Sequence, residues 1–281
     1  MTSDPVWLEV ALNGAAGTAL QPNVPVEPSQ IIEEAIACVE AGASIVHLHA
    51  YRDGQAVEDA SIYASIFEGI RKHCDAILYP TLALTGSLEE RLKPLRELGE
   101  SGLMEWTVVD PGSVNISLQL QIDAGLPGIH YSNPDEHIRA GLELAKERGW
   151  RPAYAIYEPG FVRLGSAFAA SITGMQQPIY RLMFSKSLLF GAPPTEYALA
   201  FYYEHLQEHA PGSPWMISGL DADISAIAPS ALKLGAHLRV GLEDAPFHSE
   251  KNNLQLVREA IEWIGMSERP LATVQQIRAA T

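Results

Sequence analysis

Two histidines one residue apart, His47 and His49, close the short apolar run Val46-His47-Leu48-His49. Far downstream, the run His237-Leu238-Arg239-Val240-Gly241-Leu242-Glu243-Asp244 ends in two carboxylates and carries one arginine. Side chains alternate across a strand, so His47 and His49 share a face, and by the same parity Arg239 and Glu243 share another. Two imidazoles and one carboxylate form a three-ligand set with positions left open, the pattern of catalytic rather than structural zinc. Iron(II) and manganese suit the same donors. The plainer reading is a pair of hydrogen-bonded histidines near a strand end. Glu243 and Asp244 weigh against it, because carboxylates ending an otherwise apolar strand are costly to bury unpaired.

A second stretch, His205-Leu206-Gln207-Glu208-His209, fits the H-x-x-E-H pattern of inverted zinc proteases. It ends an amphipathic helix, no third ligand is tied to it, and histidines near a helix C-terminus also suit the helix dipole. A protease site is the weaker reading. Other strand ends carry fainter hints: Thr81, the turn Asp110-Pro111-Gly112-Ser113-Val114-Asn115, the turn Tyr157-Glu158-Pro159-Gly160, and Lys186. Each is equally suited to capping a helix or shaping a turn.

These residues need a scaffold that brings strand ends together. Short β-rich runs span 7–13, 44–49, 76–82, 103–109, 152–158, 179–185, 215–220 and 237–244, and amphipathic helical patterns alternate with them over 29–41, 88–98, 134–148, 195–209 and 250–264. Pro28-Ser29 and Asn133-Pro134 open helices, and Gly42 and Gly149 close them. Eight such units predict parallel pairing and closure into a (β/α)8 TIM barrel, a single domain over residues 1–281 with a short C-terminal extension. A doubly wound sheet is the alternative, but no G-x-G-x-x-G follows the first run. In a closed barrel the second and eighth strands both flank the first, so His47, His49 and Glu243 can meet at one mouth.

Composition narrows the partners. The chain has 281 residues, 47% of them hydrophobic, and a formal net charge of −15, which argues against nucleic acid or an anionic membrane surface. Residues 1–7 lack the basic and apolar segments of a signal peptide, and the charge-free stretch 164–180 is broken by polar residues and Pro. With two cysteines, Cys38 and Cys74, the expectation is a cytoplasmic protein in reducing surroundings.

The set Gln21-Pro22-Asn23-Val24-Pro25, His47-Leu48-His49, Pro111-Gly112-Ser113-Val114-Asn115, Tyr157-Glu158-Pro159-Gly160, the run 235–244 and Arg269-Pro270-Leu271-Ala272-Thr273 resembles the β-keto acid cleavage enzymes. That family includes 3-keto-5-aminohexanoate cleavage enzyme and was once classed as a domain of unknown function. The similarity runs nearly the whole chain. It implies a (β/α)8 barrel holding a divalent metal, normally zinc, on His47, His49 and Glu243. It also implies acyl transfer, in which a β-keto acid and acetyl-CoA give a new acyl-CoA and acetoacetate. Arg239 and Asp244 match the family's Arg–Asp pair, with the Asp as base, and Thr81 falls where a Ser lies close to substrate. Ser113 and Glu158, within matched motifs, are taken as further substrate contacts. The implied partners are a small β-keto acid and a CoA thioester, and the implied assembly is a homotetramer or homodimer.

The implied chemistry suits the residues. Zinc stabilises an enolate as a Lewis acid by roughly several kcal/mol. Asp244, kept ionised by Arg239, would remove the C2 proton, a contribution of about 10²–10⁴-fold. The chain also departs from the family. Ala16 stands where the aminohexanoate enzyme has a Glu for the substrate amine, and Tyr51 where the family has an Arg. Leu82-Ala83-Leu84-Thr85 replaces a Gly-Gly loop, and 186–194 replaces a short Gly-rich turn. These changes predict a more apolar acyl pocket and a substrate without an amine. Arg163, Arg181 and Lys186 could meet CoA phosphates or be solvated surface charges. The rival readings are a metal-dependent hydrolase, a CoA-independent C–C lyase at the same metal, and a non-catalytic metabolite-binding barrel. The hydrolase of the amidohydrolase type takes histidines from strands one, five and six, which have none here; the non-catalytic barrel would not need every ligand retained.

Overall fold

A computed structural model of the chain describes residues 4–280, so residues 1–3 and 281 of the expected domain lie outside the described residues. The strands, in chain order, are β1 (Leu8–Ala11), β2 (Ile45–Leu48), β3 (Ala50–Arg52), β4 (Gln55–Val57), β5 (Ile77–Pro80) and β6 (Trp106–Val108). They continue as β7 (Val114–Ile116), β8 (Ile129–Tyr131), β9 (Arg151–Ile156), β10 (Ile179–Ser185), β11 (Trp215–Leu220) and β12 (His237–Val240). The helices begin with α1 (Gly17–Leu20), α2 (Pro28–Ala41), α3 (Ala60–Arg71), α4 (Leu88–Gly99), α5 (Gln119–Asp123) and α6 (Asp135–Arg148). They end with α7 (Gly160–Ser171), α8 (Glu196–His209), α9 (Ala228–Lys233), α10 (Asn253–Met266) and α11 (Val274–Ala279).

Eight strands form one parallel sheet in the order β5-β2-β1-β12-β11-β10-β9-β6. The two outer strands meet where Glu105 N donates to Leu78 O at 3.4 Å, which nearly closes the ring. The fold is a (β/α)8 TIM barrel. Its strands are short apolar runs because both faces are covered, by the lumen on one side and the helices on the other. The helices start where the chain supplies acceptors: Asp59 caps α3, and Ser87 with Glu90 and Asn252 with Gln255 form capping boxes on α4 and α10. At the N-terminal end the lumen is plugged by Trp7, which stacks on His237 at 4.3 Å and carries the Arg151 guanidinium 5.3 Å above its ring. No helix among the described residues is long and apolar enough to cross a membrane.

Two features correct the sequence expectation. Antiparallel hairpins β3–β4 and β7–β8 grow from the ends of the second and fourth barrel strands. The first turns at Asp53-Gly54, both with positive φ, the twist that suits a two-residue hairpin. The last barrel strand stops at Val240 rather than running to 244, because Gly241 takes φ +137° and the chain turns there. Glu243 therefore belongs to a turn, and strand parity does not set its direction.

Candidate active site

The mouth is built by close approaches that particular residues permit. A Cβ on Gly241 would lie 2.1 Å from Ala11 O, and one on Gly14 would lie 2.7 Å from Glu243 Cγ. Both positions have positive φ, so only glycine lets the β1 end press against the turn. Asparagine and glutamine side chains then fasten the backbone. Leu242 N donates to Asn253 Oδ1 at 2.9 Å, while Gln21 Nε2 donates to Leu242 O, Ala245 O and Pro246 O. His49 sits in the one-residue break between β2 and β3. Its N–H donates to Asn13 Oδ1 at 2.9 Å, and Asn13 Nδ2 donates back to His49 O at 3.1 Å.

His47, His49 and Glu243 consequently converge. His47 Nε2 is 3.4 Å from Glu243 Oε2, and His49 Nε2 is 3.5 Å from Glu243 Oε1. Those separations are long for charge-assisted hydrogen bonds. They fit two ligands of one tetrahedral ion, whose donor atoms at 2.0–2.1 Å would stand about 3.3 Å apart. Of these facing atoms, His49 Nε2 and Glu243 Oε2 are buried without hydrogen-bond partners. Burial pushes the His47 imidazole down to about 3, so it is neutral at physiological pH, as a ligand must be. Burial opposes ionisation of Glu243, but the Arg239 guanidinium leads the groups that outweigh it and hold the carboxyl well below its usual range. The donor set, its spacing and its orphaned atoms fit a divalent cation.

Behind the trio lies an ionic network that the sequence reading only partly foresaw. Arg239 Nε and NH2 donate to the two Asp244 oxygens, each at 2.9 Å, in a bidentate pair. The same guanidinium reaches Glu243 Oε1 at 3.0 Å and Glu9 Oε1 at 3.2 Å. Tyr79 Oη donates to Glu9 at 2.5 Å, and Ser218 Oγ donates to Asp244 Oδ2 at 2.6 Å. Glu9, Asp110, Glu243 and Asp244 thus face two buried guanidinium groups, those of Arg181 and Arg239. Glu9, Glu243 and Asp244 all share the one guanidinium of Arg239, a surplus of negative charge that a divalent ion would balance. Burial raises Asp244 above the usual carboxylate range despite Arg239 and Ser218, which makes it a stronger base once ionised.

The lumen holds a cavity of about 40 Å³ lined by His47, Thr81, Asp110, Arg181, Arg239 and Glu243 among polar residues, and by Leu82, Leu84, Tyr157 and Met183. Thr81 therefore joins the trio. Asp244 lines a neighbouring cavity of about 250 Å³ between the β11 and β12 ends and α10, and Arg239 borders both cavities. Ser113 and Glu158 line neither cavity. Ser113 is exposed and its Oγ accepts from Asn133 N at 2.8 Å, and Glu158 Oε1 accepts from Gly191 N at 3.1 Å, so both fasten loops. Arg181 is a lumen residue and not a surface charge for phosphates; Arg163 and Lys186 are exposed. His205, Glu208 and His209 sit together at the end of α8, where the packed residues are Leu199, Tyr202 and Leu206. Glu9, Tyr79, Asn13 and Asn253 went unread as site residues. A carboxylate inside the apolar run 7–13 was the one available signal.

A model of the beta-keto acid cleavage enzyme family matches residues 5–281. The chain belongs to that family. It is 28% identical over 287 residues to 3-oxoadipate:acetyl-CoA acetyltransferase of Cupriavidus necator, covering 99% of this chain and 94% of the relative. It is 26% identical over 265 residues to 3-keto-5-aminohexanoate cleavage enzyme of Fusobacterium nucleatum, covering 92% of this chain and 90% of that one. The structure also resembles that of ObcA in a complex with a C4-CoA adduct and oxalate, with TM-score 0.71 and 17% identity over 92% of this chain and 67% of that one. That last likeness supports the barrel fold. The chain is an enzyme of the β-keto acid cleavage family, whose relatives include an acetyl-CoA acetyltransferase named for 3-oxoadipate.

Proposed function

We propose that this enzyme converts a β-keto acid and acetyl-CoA into an acyl-CoA and acetoacetate. The observation that carries the reading is the meeting of His47, His49 and Glu243 with the Arg239–Asp244 pair at one barrel mouth, in a chain of this family. His47, His49 and Glu243 would hold a zinc ion, a metal that the two-imidazole, one-carboxylate set suits. Bound there, it supplies Lewis-acid stabilisation of the negative charge that develops on a keto oxygen.

The remaining work belongs to the chain. Asp244 Oδ1 carries one hydrogen bond, which leaves it capacity to take the C2 proton of the acid. Arg239 orients that carboxylate and keeps it ionised, and Glu9 and Glu243 hold Arg239 from its other side. The C2 carbanion attacks the acetyl carbonyl and CoA thiolate leaves. The thiolate then attacks the original keto carbon, the bond from that carbon to C2 breaks, and the acetoacetate carbanion recovers the proton from Asp244. Thr81 borders the lumen cavity and would contact the acid. Ser113 and Glu158 contribute by shaping the loops around it. We place the enzyme in the cytoplasm as one barrel domain, assembled as a homodimer or homotetramer; two free cysteines agree with reducing surroundings.

The test is mass spectrometry of CoA esters after incubating zinc-loaded protein with acetyl-CoA and a mixture of β-keto acids. A new acyl-CoA accompanied by acetoacetate is expected. Cleavage of the acid without any new CoA ester would replace acyl transfer with lyase or hydrolase chemistry at the same residues.

A further inference from the structure

Arg181 stands on β10 with its side chain 3% exposed, in the wall of the lumen cavity. A guanidinium offers five N–H donors. Here NH1 donates to Tyr79 Oη at 3.2 Å and NH2 to Ala153 O at 3.1 Å. Nε has no partner, and Asp110 Oδ1 is 3.8 Å from NH2, beyond hydrogen-bond reach. Asp110 is itself engaged, by Tyr131 Oη at 2.8 Å and Ala155 N at 2.9 Å. A buried cation with donors unmade is costly, so the cavity favours a group that brings an acceptor.

Charge and size narrow that group. Asp110 already balances Arg181 along this wall, so a carboxylate would meet Asp110 and an ammonium would meet Arg181. The cavity is small, about 40 Å³, and the acid's head shares it, so the tail is short. Leu82, Leu84 and Met183 bound it with apolar surface. We propose that Arg181 selects β-keto acids whose short, uncharged tail carries an oxygen that accepts a hydrogen bond. The proposal rests on the reading above, in which the acid's head lies at His47, His49 and Glu243.

Calorimetric binding without CoA separates the two. The probes are 4-methoxy-3-oxobutanoate and 3-oxohexanoate, which differ by one oxygen in place of a methylene, titrated into full-length protein with one equivalent of zinc. The methoxy acid should bind about tenfold tighter, the size of one hydrogen bond from a charged donor. The difference should vanish in Arg181→Met. It should vanish too in Arg181→Met with Asp110→Asn, which removes the unpaired carboxylate that the single variant would leave. Equal affinities in the natural protein, or a preference that survives both variants, would overturn the assignment. So would tighter binding of an acid with a carboxylate or ammonium tail. Binding of neither probe would remove the head-group reading along with it. A methoxy preference with no acyl-CoA formed would leave the tail assignment standing and remove only the acyl transfer.

Discussion

The two histidine trios among the described residues are made of the same side chains, and in both the ligand atoms lie within 4.8 Å of one another. His205, Glu208 and His209 come from one stretch of α8, where helical spacing alone brings them together. The Glu208 side chain is 73% exposed, so water solvates its charge and nothing requires a cation. His47, His49 and Glu243 come from the β2 end and a turn beyond β12, and Glu243 is only 15% exposed. Behind that trio Glu9, Glu243 and Asp244 share the one guanidinium of Arg239. The difference teaches that donor type and spacing make a motif, whereas burial of unbalanced charge makes a demand for a ligand.

The sharpest way to break the contrast is Glu243→Ala. It should abolish metal binding at the mouth and lower turnover by about 10³-fold or more, read by metal analysis and acyl-CoA formation on the same sample. Asp244→Asn comes next: metal content should stay near that of the natural protein while turnover falls about 10²–10⁴-fold. Full activity in that variant would remove the base assignment. Glu9→Gln keeps an oxygen for Tyr79 and Arg239 but loses the charge. We expect kcat to fall about tenfold with KM within about twofold, since Glu9 acts through Arg239. The smallest effect is expected from His205→Ala combined with His209→Ala, which should leave tight metal content and turnover within about twofold. A loss of tight metal there would show that the helical trio, too, is a working site.

Much of this was readable beforehand. The alternation of apolar runs with amphipathic stretches announced the barrel, because strands covered on both faces must be continuously apolar. His-x-His at a run's end and the Glu243-Asp244 pair announced the donors. The route by which Glu243 reaches the histidines was misread, because Gly241 ends the strand two residues earlier. Ser113 and Glu158, read as substrate contacts, line neither cavity and each accept a hydrogen bond from a neighbouring loop, since a polar residue at a strand end reads the same whichever way it faces. Arg181 was left open between a CoA-phosphate contact and a surface charge, because nothing local distinguishes an arginine facing the lumen from one facing water.

By itself, then, the sequence determined the period of the elements, the barrel they close into, and the inventory of imidazoles and carboxylates at the strand ends. Only the tertiary structure decided which of these face the lumen and which charges share it. Periodicity and donor type are local properties, written in neighbouring residues. Convergence depends on contacts between distant segments: Gly14 against Glu243, Gln21 against the 241–246 turn, and Glu9 against Arg239. The energy of a buried charge depends on every other charge buried with it.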